Sequence, residues 1–307
     1  LLMVSLVLKD IVVLFFLRPY EKIKKEEISP ARRLFLKRSF SLFALSNTSA
    51  VPALGLVSAS KPLMRDVFIH DPRFPKEFGE IRALQISDLH VGPLIKKDYV
   101  EKVREMIEWK KPHFLFYTGD MVDGNVKDLA PHFEPIKNLR GTIGNFFVTG
   151  NHEYYSGVTQ WLEFFKTEMN CEVLMNENRV IELQGKKLLI GGVNDYASTR
   201  FNKNHVSDPV KARGHEAVDY SICLAHQPRS VYKIHEAGFN FMCCGHTHGG
   251  QYIPFNLLVS LVHPYVRGLY QHKGMPLYVN PGTGHWGPPN RFGIPAEVTH
   301  LIFNHQA

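Results

Sequence analysis

The sequence predicts an α/β protein with a largely buried sheet, and three patterns predict it. Short apolar runs of strand length recur along the chain. Longer mixed stretches with three- and four-residue apolar spacing separate the early runs, and nearly every run ends in a cluster of Asp, His, Asn or Gly. With 307 residues, 44% hydrophobic and 21% charged, the chain can bury one sizeable core, which excludes intrinsic disorder and a disulfide-stapled mini-fold. Cys171, Cys223, Cys243 and Cys244 have no framework spacing, so neither disulfides nor a cysteine metal site is indicated.

The first 61 residues read as an N-terminal segment set apart from a body over residues 62–307. Residues 1–38 hold nine Lys/Arg against four acids, which accounts for +5 of the chain's +7. The body is therefore close to neutral, and without a basic groove no nucleic-acid partner is expected. Residues 1–17 are apolar apart from Ser5, Lys9 and Asp10, slightly short of the roughly 20 apolar residues that a bilayer span needs. Residues 39–60 carry no charge but are rich in small side chains and interrupted by Asn47 and Pro52. The entry to that region, Ala31-Arg32-Arg33-Leu34-Phe35-Leu36-Lys37, resembles a twin-arginine export signal, with Val57-Ser58-Ala59 as a small-residue cleavage site. The other reading is a helix lying in the membrane surface with its cations at the headgroups. A spanning 39–60 segment would put the body outside the membrane, whereas a surface helix leaves it inside.

Strands are expected at 81–87, 114–118, 146–149, 187–193, 220–225, 239–244, 277–280 and 298–303, where β-branched and aromatic residues form continuous runs. Helices are expected at 99–109 and 158–168 from their apolar spacing. Since ligands sit at the carboxyl ends of strands in open α/β sheets, the polar clusters there mark the site.

The first strand runs into Asp88-Leu89-His90, and the second into Gly119-Asp120-Met121-Val122-Asp123. The glycine before Asp120 permits a sharp turn, and the two carboxylate oxygens of Asp120 suit it to bridge two cations. Asp123 either orients a ligand histidine or caps the following segment. The third strand ends Gly150-Asn151-His152-Glu153, where the Asn151 amide oxygen suits a hard or borderline cation and His152 is free to act on substrate. His226 follows a later strand, and His246 and His248 stand in Gly245-His246-Thr247-His248-Gly249-Gly250-Gln251. Asp88, His90, Asp120, Asn151, His226, His246 and His248 exceed the needs of one tetrahedral ion but fit a two-metal site. Nitrogen and oxygen donors without thiolate favour Mn, Fe or Zn.

These blocks, in this order, resemble the five motif blocks of the calcineurin-like metallophosphoesterases. The N-terminal segment, the form of the last block and the closing Tyr278-Val279-Asn280-Pro281-Gly282 to Arg291 region are similar to a membrane-associated bacterial branch of that family. The resemblance implies a two-sheet β-sandwich flanked by helices, a four-layer fold. It implies that Asp88, His90, Asp120 and His248 hold one divalent metal and that Asp120, Asn151, His226 and His246 hold the other. The implied reaction is hydrolysis of a phosphodiester or pyrophosphate by direct in-line attack of a metal-bridging hydroxide, with His152 protonating the leaving oxygen or steadying developing charge, a structural role being its alternative, and with Asp123 assisting. Residues 252–265 are markedly apolar. They read either as a buried connection or as an apolar surface beside the metals that takes acyl chains or dips into lipid, in which case the substrate is lipid-linked. The family also includes the UDP-2,3-diacylglucosamine pyrophosphatases of lipid A synthesis, and a non-catalytic scaffold with the same fold is the alternative of another class. The expected location is the bacterial cytoplasmic membrane, on a face that residues 39–60 decide.

Overall fold

The structure, a computed structural model, describes residues 30–305; the apolar segment expected over residues 1–17 lies outside them. In chain order the strands are β1 (Leu63–His70), β2 (Ile81–Ile86), β3 (Phe114–Tyr117), β4 (Gly144–Phe147), β5 (Glu172–Val173), β6 (Glu177–Leu183), β7 (Lys186–Gly192), β8 (Tyr220–Leu224), β9 (Phe241–Cys244), β10 (Gly268–His272), β11 (Met275–Val279) and β12 (Glu297–Asn304). The helices are α1 (Pro30–Ala59), α2 (Lys97–Lys110), α3 (Val126–Leu129), α4 (Asn151–Tyr155), α5 (Val158–Thr167), α6 (Pro209–Arg213), α7 (Val231–Glu236) and α8 (Asn256–Val262).

The strands build two six-stranded sheets, ordered β1-β12-β2-β3-β4-β5 and β10-β11-β9-β8-β7-β6. Strands β2, β3, β4 and β5 are mutually parallel, as are β7, β8, β9 and β11, while β12 and β10 reverse direction beside them. Alternation along each strand sorts its side chains between two layers. Ala83, Phe114, Phe116 and Phe146 from one sheet meet Ile190, Ile222, Leu224 and Phe241 from the other in the core between them. Leu84, Ile86, Leu115, Tyr117 and Phe147 point the opposite way, onto Val100, Val103 and Ile107 of α2 and Trp161 and Phe165 of α5. Leu189, Cys223, Met242 and Val279 likewise face Ala212 of α6 and Val231 and Ile234 of α7. The result is a helix–sheet–sheet–helix stack. Because the central strands are covered on both faces, they read in the sequence as continuous apolar runs.

Strands β1, β6 and β10 lie at sheet edges and carry charged or polar side chains outward, as in Glu177, Arg179 and Glu182 of β6. Such solvated edges lack the apolar run that marks a central strand. All four cysteines are buried and unbridged.

Helix α1 takes in both the Arg32-Arg33 stretch and most of the uncharged 39–60 region. No described helix is long and apolar enough to cross a membrane. Ser39, Ser41, Ser46, Asn47, Thr48 and Ser49 dilute the hydrophobicity that a span needs, which is why residues 39–60 fall short of the spanning alternative. The last turns of α1 rest on the body, where Gly55 accepts from the Arg291 backbone N–H at 3.0 Å and Ser60 accepts from Lys102 Nζ at 2.9 Å. Gly55 lets the Asn290 side chain come close, since a Cβ would fall 1.8 Å from Asn290 Oδ1 and displace it.

One buried carboxylate fastens the two sheets. Asp71, just after β1, accepts from the backbone N–H and Nε of Arg73, both at 2.9 Å, and from Arg73 Nη2 at 2.7 Å. It also accepts from the hydroxyl of Tyr220, the first residue of β8, at 2.9 Å. Burial pushes this carboxyl up, but the hydrogen bonds from Arg73 and Tyr220 outweigh it and hold Asp71 below the usual carboxylate range. Asp71→Asn should lower the unfolding free energy by about 1–3 kcal/mol in urea titrations at neutral pH. Because the folded pKa is depressed, that stabilisation is present above the unfolded value of about 4 and lost as the pH falls through the folded value. The wild-type advantage should therefore shrink in acid.

Candidate metal centre

Each expected ligand emerges where a parallel strand ends. Asp88 and His90 follow β2, Asp120 follows β3, Asn151 opens α4 after β4, His226 follows β8, and His246 and His248 follow β9. Both sheets thus contribute to one place. The loops meet at van der Waals limits: a Cβ on Gly150 would lie 2.2 Å from Asp120 Oδ1, and one on Gly245 would lie 2.1 Å from Asp88 Oδ2. Asp88, His90, Asp120, His246 and His248 all adopt left-handed backbone conformations, with φ between 51° and 71°. Side chains other than glycine rarely do so, and such strain gathers at functional sites.

Three groups of donors converge. Asp88, His90 and His248 form one, and Asp120, His226 and His246 a second, each with its ligand atoms within 4.8 Å of one another; His90, Asp123 and His152 form a third. In the first, His90 Nε2 lies 3.0 Å from His248 Nε2, and His248 Nε2 lies 3.5 Å from Asp88 Oδ1. In the second, His226 Nε2 stands 3.0 Å from Asp120 Oδ2 and 3.1 Å from His246 Nδ1.

The protons on these rings are dictated by their outer neighbours. His226 Nδ1 faces the Thr118 carbonyl at 2.8 Å and must donate to it. His90 Nδ1 donates to Asp123 Oδ1 at 3.0 Å. In the neutral imidazoles the Nε2 atoms of His226 and His90 are then lone pairs turned inward, that of His226 directly toward the Asp120 carboxylate. Asn151 Oδ1 is buried and has no hydrogen-bond partner. Acceptors crowded together in a buried place need cations between them, and an orphaned amide oxygen beside imidazoles and carboxylates is a donor set that Mn, Fe or Zn accepts. The residues fit a metal centre.

The carboxylates are pinned as well as buried. Asp120 Oδ1 accepts from the His152 backbone N–H at 2.8 Å. Asp88 accepts from Ser87 Oγ at 2.6 Å and from the His246 backbone N–H at 3.0 Å. Burial works to raise Asp120, but where His226 carries a second proton on Nε2 in place of a metal, its charge and hydrogen bond override that and keep the carboxyl below the ordinary range. Burial dominates at Asp88 and raises it. Burial followed by the His226 charge pushes His246 down to about 3.

Asp123 is not a helix cap. The N-cap of α3 is Asn125, whose side chain accepts from the Asp128 N–H. Instead Asp123 Oδ1 is shared by His90 Nδ1 and His152 Nδ1. Burial opposes ionisation of Asp123, but the hydrogen bonds from His152 and then His90 hold it low. His152 lies beside the metal-ligand groups, with Nε2 3.9 Å from Asp120 Oδ2. Burial would lower it, yet the Asp123 hydrogen bond and the Asp120 charge raise it above the usual imidazole value.

Two supporting residues carry roles that the sequence reading does not assign. Glu153, fully buried, accepts from the backbone N–H groups of Asp120 at 3.0 Å, Met121 at 2.7 Å and Gly150 at 2.6 Å, tying the β3 and β4 loops together. Burial and then the Asp120 charge push its carboxyl up to about 7. Arg291 is fully buried with no carboxylate partner among the described residues; its guanidinium donates to the carbonyls of His248 at 2.9 Å, Pro281 at 2.7 Å and Gly284 at 3.0 Å, and to His248 Nδ1 at 3.0 Å. Glu153 was visible only as the fourth residue of a motif, and Arg291 as a lone cation in a loop. The segment over residues 252–265 differs from its buried reading: α8 has no buried residue.

A cluster of nitrogen and oxygen donors that could hold metal stands at the strand ends of two packed sheets. The sequence matches the family described as calcineurin-like phosphoesterase over residues 81–250, more than half of the chain. It is similar to a metallophosphoesterase of Helicobacter pylori, 36% identical over 79% of this chain and 64% of that one. It is also similar to a transmembrane protein with metallophosphoesterase domain of Bos taurus, 32% identical over 92% of this chain and 64% of that one. A Bacillus subtilis metallophosphoesterase is 27% identical over 88% of this chain and 96% of its own. The chain thus belongs to the calcineurin-like metallophosphoesterases, a family of divalent-metal hydrolases. It spans under two thirds of the length of the Helicobacter and Bos relatives.

Glu153→Gln would turn an amide NH2 toward backbone N–H groups that now find an acceptor. It should cost about 1–3 kcal/mol in stability and weaken metal binding by letting the two loops part. Thermal unfolding and a manganese titration of the same preparation check both.

Proposed function

We propose that this chain is a two-metal phosphoric ester hydrolase acting on phosphodiester or pyrophosphate bonds of a membrane-proximal, lipid-linked substrate. The observation that carries the hydrolytic reading is the set of inward-turned lone pairs around Asp120, whose two oxygens serve the two sheets separately. One cation would be held by Asp88, His90, Asp120 and His248, and the other by Asp120, Asn151, His226 and His246. When bound, such a pair neutralises phosphoryl charge and makes a coordinated water acidic enough to attack near neutral pH.

The remaining steps belong to the chain. Asp123 holds the His152 ring through Nδ1, which turns Nε2 toward the cluster. Asp123 and Asp120 bias His152 toward its protonated form against the effect of burial, and the proton it delivers to the leaving oxygen is the one on Nε2. General acid catalysis of this kind contributes about 10²–10⁴-fold. A non-catalytic scaffold would not need a polarised histidine beside a buried set of seven donors.

The lipid part of the reading is supported by α8. Its Leu257, Leu258, Leu261 and Val262 are all more than half exposed, and the helix abuts the turn that carries His248, since a Cβ on Gly250 would lie 2.2 Å from Asn256 Cα. Exposed apolar patches of this kind mark lipid or partner contact. The basic residues 18–38 lead into α1, whose Leu54, Leu56 and Val57 are also exposed.

His152→Ala is expected to keep its metal and lose about 10²–10⁴-fold in kcat on an alkyl phosphodiester with manganese, whose alkoxide needs the proton that a nitrophenolate does not; full activity on the alkyl ester would remove His152 from the reaction. Asp120→Ala should lose both metal and activity by elemental analysis. Detergent-dispersed lipid phosphodiesters should be hydrolysed faster than small soluble ones, with the advantage lost in a Leu258→Ser, Leu261→Ser double variant. Equal rates on both substrate types would count against the lipid assignment.

A further inference from the structure

Beside His152 the fold leaves three large rings in solvent. Tyr155, the last residue of α4, is 60% exposed, Trp286, between β11 and β12, is 56% exposed, and Phe201 is 46% exposed. Rings of this size dominate cores and interfaces when they can. Tyr155 and Trp286 both stand nearly perpendicular to the His152 imidazole, Tyr155 at 5.0 Å between centroids and 71° between planes, Trp286 at 6.3 Å and 77°. Phe201 continues the wall, edge-on to Tyr155 at 5.0 Å.

Both rings adjoining His152 are held by the segments that supply the metal donors. Tyr155 rides on the helix that begins with Asn151 and His152. The main chain of Trp286 is clamped by one side chain: its N–H donates to Gln251 Oε1 at 2.9 Å, and its carbonyl accepts from Gln251 Nε2 at 2.8 Å. Gln251 directly follows the His248–Gly250 turn. The rings are thus anchored at their backbones and open at their faces, which is the arrangement of a binding surface.

We propose that Tyr155 and Trp286 form a leaving-group subsite that selects phosphoesters whose leaving group carries a planar ring next to the scissile oxygen. The proposal rests on the reading of His152 as proton donor to that oxygen. Whatever accepts the proton from His152 lies beside His152, where these rings stand, and a flat group gains edge or face contact there that a flexible aliphatic alcohol does not.

The test uses metal-reconstituted full chain with bis(p-nitrophenyl) phosphate and with a dialkyl phosphodiester of glycerol, alcohol release being followed by phosphorus NMR. The ratio of kcat/KM for the aryl over the alkyl diester should fall about tenfold in Trp286→Ala and in Tyr155→Ala, chiefly through KM, and recover in Trp286→Phe. Separately, p-nitrobenzylphosphonate, which cannot be hydrolysed, should quench wild-type tryptophan fluorescence, and the quenching should largely vanish in Trp286→Phe, where Trp109 and Trp161 remain. An unchanged ratio, or equal losses on both diesters, overturns the subsite and leaves the hydrolase reading standing. If the metal-loaded wild type hydrolyses neither diester, the phosphodiester reading fails, and the phosphonate titration alone decides the subsite: quenching lost with Trp286 upholds it, quenching unaffected by Trp286→Phe overturns it.

Discussion

The carboxylate of Asp120 is where the two halves of this protein are joined chemically. It is buried, it is held from the β4 side by the His152 N–H, and its other oxygen faces His226 from the opposite sheet. Such a group is costly to bury alone. The structure offsets that cost by placing imidazoles around it, with the outer nitrogens of His226 and His152 committed to Thr118 and Asp123, so that the inner atoms form a set of donors that could hold a cation. The glycines at 119, 150 and 245, the left-handed turns at the ligands and the Glu153 clasp all serve to bring five loops close enough for this to happen.

From that constraint the rest of the site follows. Asp123 is not among the inner donors; by hydrogen-bonding two histidines through one oxygen it couples the orientation of a candidate ligand, His90, to that of the candidate acid, His152. Outer partners of this kind set the tautomer and direction of a ligand ring. Arg291 does comparable work on the backbone, gathering the carbonyls of His248, Pro281 and Gly284 around one guanidinium. Its own backbone N–H donates to the Gly55 carbonyl of α1, so the last turns of the N-terminal helix are tied to the framework of the candidate site.

Much of this is legible in the sequence, for physical reasons. Central strands such as Phe114–Tyr117 and Tyr220–Leu224 are apolar on both faces and announce themselves, and their polar endings mark the site. The edge strand Glu177–Leu183 is masked by its own solvated side chains. Two sheets rather than one cannot be read from burial, because a strand covered by a helix and a sheet looks the same as one covered by two helices; only the motif resemblance implied the sandwich. The left-handed conformations at Asp88, Asp120 and His246 are invisible because nothing in an Asp or His reports its φ. Composition misleads at Asn256–Val262, where apolar residues promise burial and the fold exposes them.

The most direct test of the central claim is diffraction at the manganese absorption edge from crystals of the full chain grown with manganese. Two anomalous peaks should flank Asp120, one bonded to each of its oxygens, the first beside Asp88, His90 and His248 and the second beside Asn151, His226 and His246. A single peak, or peaks that leave Asp120 uncoordinated, would contradict the account.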